Sequence, residues 1–381
     1  MKGPAYPAAR KVAETVAGHF ARRGEAARAR AHDGLAPVPD AATVEAVIDA
    51  AFWASLRREE GYSPKISLAF LPPAQADPPL TFARTLPLDP AALARLAPAV
   101  ERPGIHLGVW RCDGVELCVW GTTRDIPPLC FVLEVIEPGL LVVKYRRGPD
   151  PGKFANVAVL RGDEVKVVDE AGDSLPDCPA LLTSLLGFGP RTAAPVDSVN
   201  LLVQLAVSMR AHGRGGTLLV VPAGGDGWRE SIRWPAHYEV EPAFPELKEM
   251  VLRGRAEADD PEWQESLRRA DEAVAGLTAV DGAAILNGRS ELLAFGAKIV
   301  RREGGTRVER VTLTEPVVGS EPAVVDPAQL GGTRHLSAAQ FVQDQHDALA
   351  LVASQDGRFT VFAWSPCELM VHAHRVETLL L

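Results

Sequence analysis

The chain has 381 residues, 47% of them hydrophobic and 23% charged, which is enough to bury two cores of ordinary domain size. A net charge of -9 argues against a general nucleic-acid or membrane-surface binder, which needs a basic face, but leaves room for a local positive pocket. Five cysteines without a C-x-x-C pair suggest neither a disulfide framework nor a zinc site; with no 18-residue apolar run and no signal-like start, the expected setting is the reducing cytoplasm, off the membrane.

Residues 8–31, rich in Ala and Arg, predict an amphipathic helix, and residues 40–58 a second, with Asp40 as N-cap, Ala51-Phe52-Trp53 turned inward and Gly61 as the stop. Arg22, Arg23, Arg28 and Arg30 stand with Glu25 and read as a solvated helix face rather than a basic patch. From Lys65 the pattern changes to short alternating or β-branched runs at 66–70, 105–111, 115–120, 129–136, 140–146 and 157–160, with turns at Cys112-Asp113-Gly114 and Pro138-Gly139. Helices followed by antiparallel strands make an α+β domain, placed at residues 1–180. It holds no cluster of acid, base and nucleophile. His106, Trp110, Trp120 and Arg124 read as strand core, with a ligand pocket as the alternative, and Lys144-Tyr145-Arg146-Arg147 as an exposed strand end.

Proline- and glycine-rich residues 173–195, around a short helical run at 181–186, mark the boundary, and the second domain is placed at 190–381. Asp197 or Ser198 caps a helix reaching Arg210, and His212 to Gly216 turns the chain into a strand at 217–221. Arg214, between two glycines, reads as part of a tight turn, with a phosphate contact as the alternative. Gly224-Gly225-Asp226-Gly227 lacks the lysine and spacing of a P-loop. An irregular crossover follows, with a helix from Pro242 through Val251 and another at 267–275. Residues 283–286 then form a short buried strand ended by Asn287-Gly288, which sets Asp281 at a strand mouth. Residues 301–330 read as an extended hairpin with a proline-rich return. Next come Gly331 and Gly332, a hydroxyl at Thr333, a permanent cation at Arg334 and an imidazole at His335, all opening a helical segment at 337–346. Such a start suits an anion, because backbone N–H groups and the helix dipole point at it. Strands at 348–354 and 359–364 close the pattern around Gln355-Asp356-Gly357.

Asp281-Gly282-Ala283 followed by Gly332-Thr333-Arg334-His335 resembles the paired motifs of the diadenylate cyclase family, and Leu201 to Val221 is similar to that family's opening helix and strand. The resemblance covers roughly residues 195 to 365. It departs at Leu336, where the family usually has a second arginine, at Val280, where several relatives carry a histidine, and in the longer stretch between the motifs. The strand end near Ser354 matches only in part. The resemblance implies a C-terminal α/β domain, a mixed sheet flanked by helices, that condenses two ATP into cyclic di-AMP with release of two pyrophosphates. It implies Asp281 as the ligand of Mg²⁺ or Mn²⁺, Arg334 and His335 as catalytic partners, and Gly282, Ala283, Ile299, Gly332, Thr333, Ser337 and Ser354 as nucleotide-binding positions. The two-fold symmetry of the product implies a homo-oligomer with active sites face to face. The N-terminal region is similar to the sensor modules called DACNV that precede some bacterial diadenylate cyclases, with no signal named by the residues. The departures at Leu336 and Val280 keep open a catalytically weak module of the same fold that binds nucleotide and signals.

Overall fold

A computed structural model describes residues 5–30, 34–59, 61–112, 116–147, 154–169, 198–236, 238–257 and 260–381. Their contacts divide the chain into two units, Met1–Val168 with Leu381, and Asp169–Leu380. The expected boundary at 173–195, its short helix, the capping role of Asp197 and the turn residues Asp113 and Gly114 lie outside the described residues.

In the first unit, helix α1 (Pro7–Arg28) starts with proline at its first turn and buries Val12, Val16 and Phe20, spaced four apart on one face. Helix α2 (Ala41–Ser55) is capped by Asp40, whose carboxylate accepts a 2.8 Å bond from the Thr43 N–H. It stops six residues before Gly61, earlier than its composition suggests. A short helix α3 (Pro90–Leu96), capped by Asp89, was not legible as such. Among the described residues these helices pack on an eight-stranded sheet. Its strands are β1 (Ile66–Phe70), β2 (Leu80–Pro87), β3 (His106–Cys112), β4 (Glu116–Thr123), β5 (Phe131–Glu137), β6 (Leu140–Arg146), β7 (Phe154–Arg161) and β8 (Glu164–Val167). Their order is β2-β4-β3-β1-β5-β6-β7-β8. The all-antiparallel expectation is corrected at β1, which runs parallel to β3 because the chain between them crosses over through α3.

Alternate residues of β1, β3 and β5, such as Leu68, Leu107 and Leu133, meet the helices in one core. On the other face Trp120 lies over Gly108, where a Cβ would come 2.0 Å from the indole, and its N–H donates to the Leu71 carbonyl at 2.9 Å. Trp120 is therefore core rather than a free aromatic wall. The expected exposed strand end at 144–147 is corrected at Tyr145 and Arg146, which are buried: Arg146 is 7% exposed and donates to the solvent-facing carboxylate of Asp125 and to the Ile126 carbonyl. The expectation of no disulfide is also corrected, since Cys112 and Cys118 are joined with their Cα atoms 5.9 Å apart. They are diagonal neighbours across the β3–β4 hairpin, in which Trp110 pairs with Cys118 and Cys112 with Glu116.

The second unit is α/β. Its nine described strands are β9 (Gly216–Val221), β10 (Tyr238–Phe244), β11 (Ala283–Asn287), β12 (Leu292–Ala297), β13 (Val311–Thr314), β14 (Ala323–Val325), β15 (Leu349–Ala353), β16 (Phe359–Ser365) and β17 (Met370–Arg375). They form one mixed sheet in the order β10-β12-β11-β9-β15-β16-β17-β13-β14. Helices α4 (Ser198–Ala211), α5 (Glu246–Glu257) and α6 (Pro261–Leu277) cover one face through Leu205, Leu247 and Leu267. Helix α7 (Thr333–Asp344) covers the other through Ala338, Phe341 and Val342. Because β-strand neighbours point to opposite faces, Leu218 and Leu219 enter different cores, as do Ala284 and Ile285. The helix start expected at Pro242 is corrected: residues 242–244 belong to β10, and α5 begins after Pro245. The expected hairpin in 301–330 is shorter, an antiparallel pair of β13 and β14 after a loop. Among the described residues no helix is long and apolar enough to cross a membrane.

Candidate functional site

The central strands bring four separated segments to one end of the second sheet. β11 runs parallel to β9, with Ala284 opposite Leu218, so the Asp281-Gly282 segment that leads into β11 lies at the end of the sheet where β9 begins. β15 runs antiparallel to β9, with Ala353 opposite Gly216, which puts Ser354 at the same level. β12 pairs antiparallel with β11, with Ala297 opposite Ala283, so Lys298 emerges next to Asp281-Gly282. Its ammonium lies 2.6 Å from Asp281 Oδ2. The Asp281 side chain is 94% exposed, and the hydrogen bond from Lys298, then its charge, then the charge of Arg334 hold the carboxyl below its ordinary range.

Gly282 has φ +128°, and a Cβ there would fall 2.4 Å from the Gly296 carbonyl carbon. Glycine is thus required for β12 to cross so close beneath Asp281. The start of α7 reaches the same end of the sheet. Gly332 is its N-cap and has no side chain to satisfy the first-turn N–H groups; that of His335 donates to the Gly332 carbonyl at 3.1 Å, and those of Thr333 and Arg334 are left for solvent or an anion. Arg334 lies against Gly215: a Cβ on that glycine would be 2.9 Å from an Arg334 Nη and 3.3 Å from the Ala353 carbonyl oxygen. Its guanidinium makes no ion pair among the described residues, so its five donors remain open. Arg214 is exposed beside it, and its carbonyl accepts from Gln355 Nε2 at 3.3 Å.

Asp281, Gly282, Ala283, Gly332, Thr333, Arg334 and Ser354 are therefore gathered. His335 is not presented with them. It is 2% exposed, its ring stands edge-on to Phe362, and Nδ1 packs so tightly on Gly331 that a Cβ there would lie 2.4 Å away. Burial lowers its pKa to about 4, so the ring is neutral. Ile299 and Ser337 line a cavity of about 360 Å³ together with Val300, Arg301, Arg307, Leu336 and Gln340. Ile299 is held by a bridge to Ile232, and the Ser337 hydroxyl donates to the Thr333 carbonyl at 2.7 Å.

Lys298, Arg301 and Arg307 were absent from the sequence reading. The signal for Lys298 was the Asn287-Gly288 turn. A hairpin folded about that turn returns a strand antiparallel to β11 and brings its end back to Asp281. For a divalent ion the chain offers one carboxylate here, and among the described residues no group of three or more His, Cys, Asp or Glu side chains gathers to hold a metal. That donor set suits Mg²⁺ or Mn²⁺ bound through Asp281 together with phosphate oxygens, and does not suit an all-protein cage.

No curated protein sequence matches the chain. Among solved structures, one described as the hypothetical membrane spanning protein from Bacillus cereus matches with 14% identity and a TM-score of 0.29, over 51% of this chain and 70% of that one. A likeness at that level carries no argument about fold or function. Within the first unit, residues 33–124 match the family model described as "Probable sensor domain DACNV".

Proposed function

We propose that the second unit is a diadenylate cyclase, condensing two ATP into cyclic di-AMP and two pyrophosphates, and that the first unit regulates it as a sensor. The observation that carries this reading is the convergence of Asp281, Arg334 and the uncapped start of α7 on one end of the sheet, beside a cavity sized for a nucleobase and ribose. In each half-reaction the 3′-hydroxyl oxygen of one ATP bonds to the α-phosphorus of the other as the bond to pyrophosphate breaks. Asp281 accepts the hydroxyl hydrogen bond and orients that oxygen, and the proton leaves to water. Arg334 and the first-turn N–H groups of α7 hold phosphate oxygens, and Lys298 adds a second cation once ligand draws it from Asp281. An exposed pair such as Asp281 with Lys298 is cheap to part. A bound Mg²⁺ or Mn²⁺ would spread the phosphate charge, held by Asp281 and the nucleotide. His335, neutral and buried, sets the start of α7 instead of touching phosphate.

One chain supplies one such half-site, so the reading requires two chains face to face, each presenting its 3′-hydroxyl to the other's α-phosphate. Incubating the protein with ATP and Mg²⁺ or Mn²⁺ and identifying products by mass tests it: a cyclic dinucleotide is expected, and bound but unconverted ATP would sink it. The second reading, a nucleotide-binding module without turnover, is favoured by one observation, that a lysine already occupies the single carboxylate at the site.

A further inference from the structure

The loop that leads from Lys298 to β13 is clamped onto α7. Gln340 accepts from the Val308 N–H at 3.0 Å and donates to the Thr306 carbonyl at 3.0 Å and to Asp344 at 3.1 Å. Asp344 also accepts from the Arg302 N–H at 2.9 Å, and Gly305 packs so closely that a Cβ would lie 2.7 Å from its carboxylate. Val308 is anchored in the core. Within the clamped loop Arg302 turns away to pair with Glu230 at 2.7 Å, whereas Arg301 and Arg307 both line the cavity and make no ion pair or hydrogen bond among the described residues.

The cavity's walls are thus apolar at Ile299, Val300 and Leu336, and its polar rim is made by Arg301, Arg307, Ser337 and Gln340. The Gln340 amide hydrogens are spent on the clamp and the Ser337 hydroxyl hydrogen on the Thr333 carbonyl. The side-chain donors left are two guanidiniums, while the Ser337 oxygen can still accept. A flat heteroaromatic ring fits apolar walls, and a guanidinium is matched by an edge offering two adjacent acceptors. Guanine presents O6 and N7 in that way, whereas adenine sets its N6 amino donor beside N7 and opposes one of the guanidinium N–H groups.

Resting on the reading of this cavity as the nucleobase subsite, we propose that Arg301 and Arg307 read the base edge and that the site admits GTP alongside ATP. The full-length protein is titrated calorimetrically with the α,β-methylene analogues of GTP and ATP, which bind without turnover, and the titrations are repeated on R301M, R307M and the double variant. The GTP analogue is expected to bind within tenfold of the ATP analogue. The double variant is expected to lose about tenfold or more for the GTP analogue, with the ATP analogue held within about twofold; both arginines are exposed, so folding is unaffected, which a melting curve verifies. A GTP analogue that binds more than tenfold weaker than the ATP analogue overturns the proposal. Equal losses for both analogues overturn it too, since the arginines would then grip phosphate. If neither analogue binds, the nucleotide reading falls with it, whereas nucleotide binding of the expected pattern without a cyclic product sinks only the cyclase reading.

Discussion

Replacing Gly282 with alanine strikes the joint on which the site is built. The backbone there sits at φ +128°, which an L-residue adopts only under strain of about 1–3 kcal/mol. The new methyl would also lie 2.4 Å from the Gly296 carbonyl carbon, 2.6 Å from its oxygen and 2.8 Å from the Ala297 nitrogen. Ordinary contact begins near 3.4 Å, so the ends of β11 and β12 must part by roughly an ångström, and overpacking of this kind costs about 1–3 kcal/mol. Because the obstructing atoms are backbone and cannot rotate away, the two costs combine to about 2–6 kcal/mol. That is a large share of the stability of an ordinary domain. The same displacement separates Asp281 from Lys298, since they flank the joint on opposite strands. Urea denaturation of G282A should therefore show an earlier midpoint at an unchanged slope, and any nucleotide turnover should fall further than the loss of folded protein explains. An unfolding free energy within about 0.5 kcal/mol of the wild type would refute the claim that close strand crossing demands glycine at this position.

Asp281→Asn should abolish the cyclic product and leave the melting temperature unchanged, because the side chain is almost wholly exposed; product at the wild-type rate by mass spectrometry would remove Asp281 from the mechanism. Arg334→Ala should weaken ATP binding by about 2 kcal/mol, the worth of a charge-assisted contact, and isothermal titration giving an unchanged affinity would show that phosphate lies elsewhere. Specific activity should fall on dilution, and D281N chains should poison wild-type chains in mixtures; constant activity from protein shown to be monomeric with ATP bound would exclude the face-to-face arrangement. Burial lowers the pKa of His106 to about 4 and of His374 to about 3, so each is neutral when folded and titrates near 6.5 when unfolded. The stability this contributes is full above pH 6.5 and is lost as pH falls toward those folded values, about 2 kcal/mol from each between pH 7 and 5. Urea midpoints that stay flat over that range would show that neither imidazole is held neutral.

Much of the local structure was written in the residues. Asp40 before a helical run, Val12, Val16 and Phe20 four apart, and the alternating run from Ile66 to Phe70 each fix an element through spacing and capping that involve only near neighbours. The anion-ready start of α7 was equally legible, because the paired glycines and the helical segment after them lie together in the chain. What the sequence left undetermined depends on register and on which face meets a core. Lys298 gained its place beside Asp281 only when β12 returned along β11, and the run Leu292 to Ala297 has no alternation that announces a strand. His335 and Arg334 are adjacent in the motif, yet the rotation of α7 against the sheet buries one and leaves the other open. The same holds for Arg146, buried with its guanidinium on Asp125 and the Ile126 carbonyl, and for Cys112 and Cys118, which meet through the diagonal of a hairpin. Arg301 and Arg307 came to one cavity because Gln340 and Asp344 clamp the loop between them. Spacing along a chain reports contacts within a turn or a strand, whereas pairing between distant strands is chosen by the burial of the whole sheet, and that choice exists only in the folded molecule.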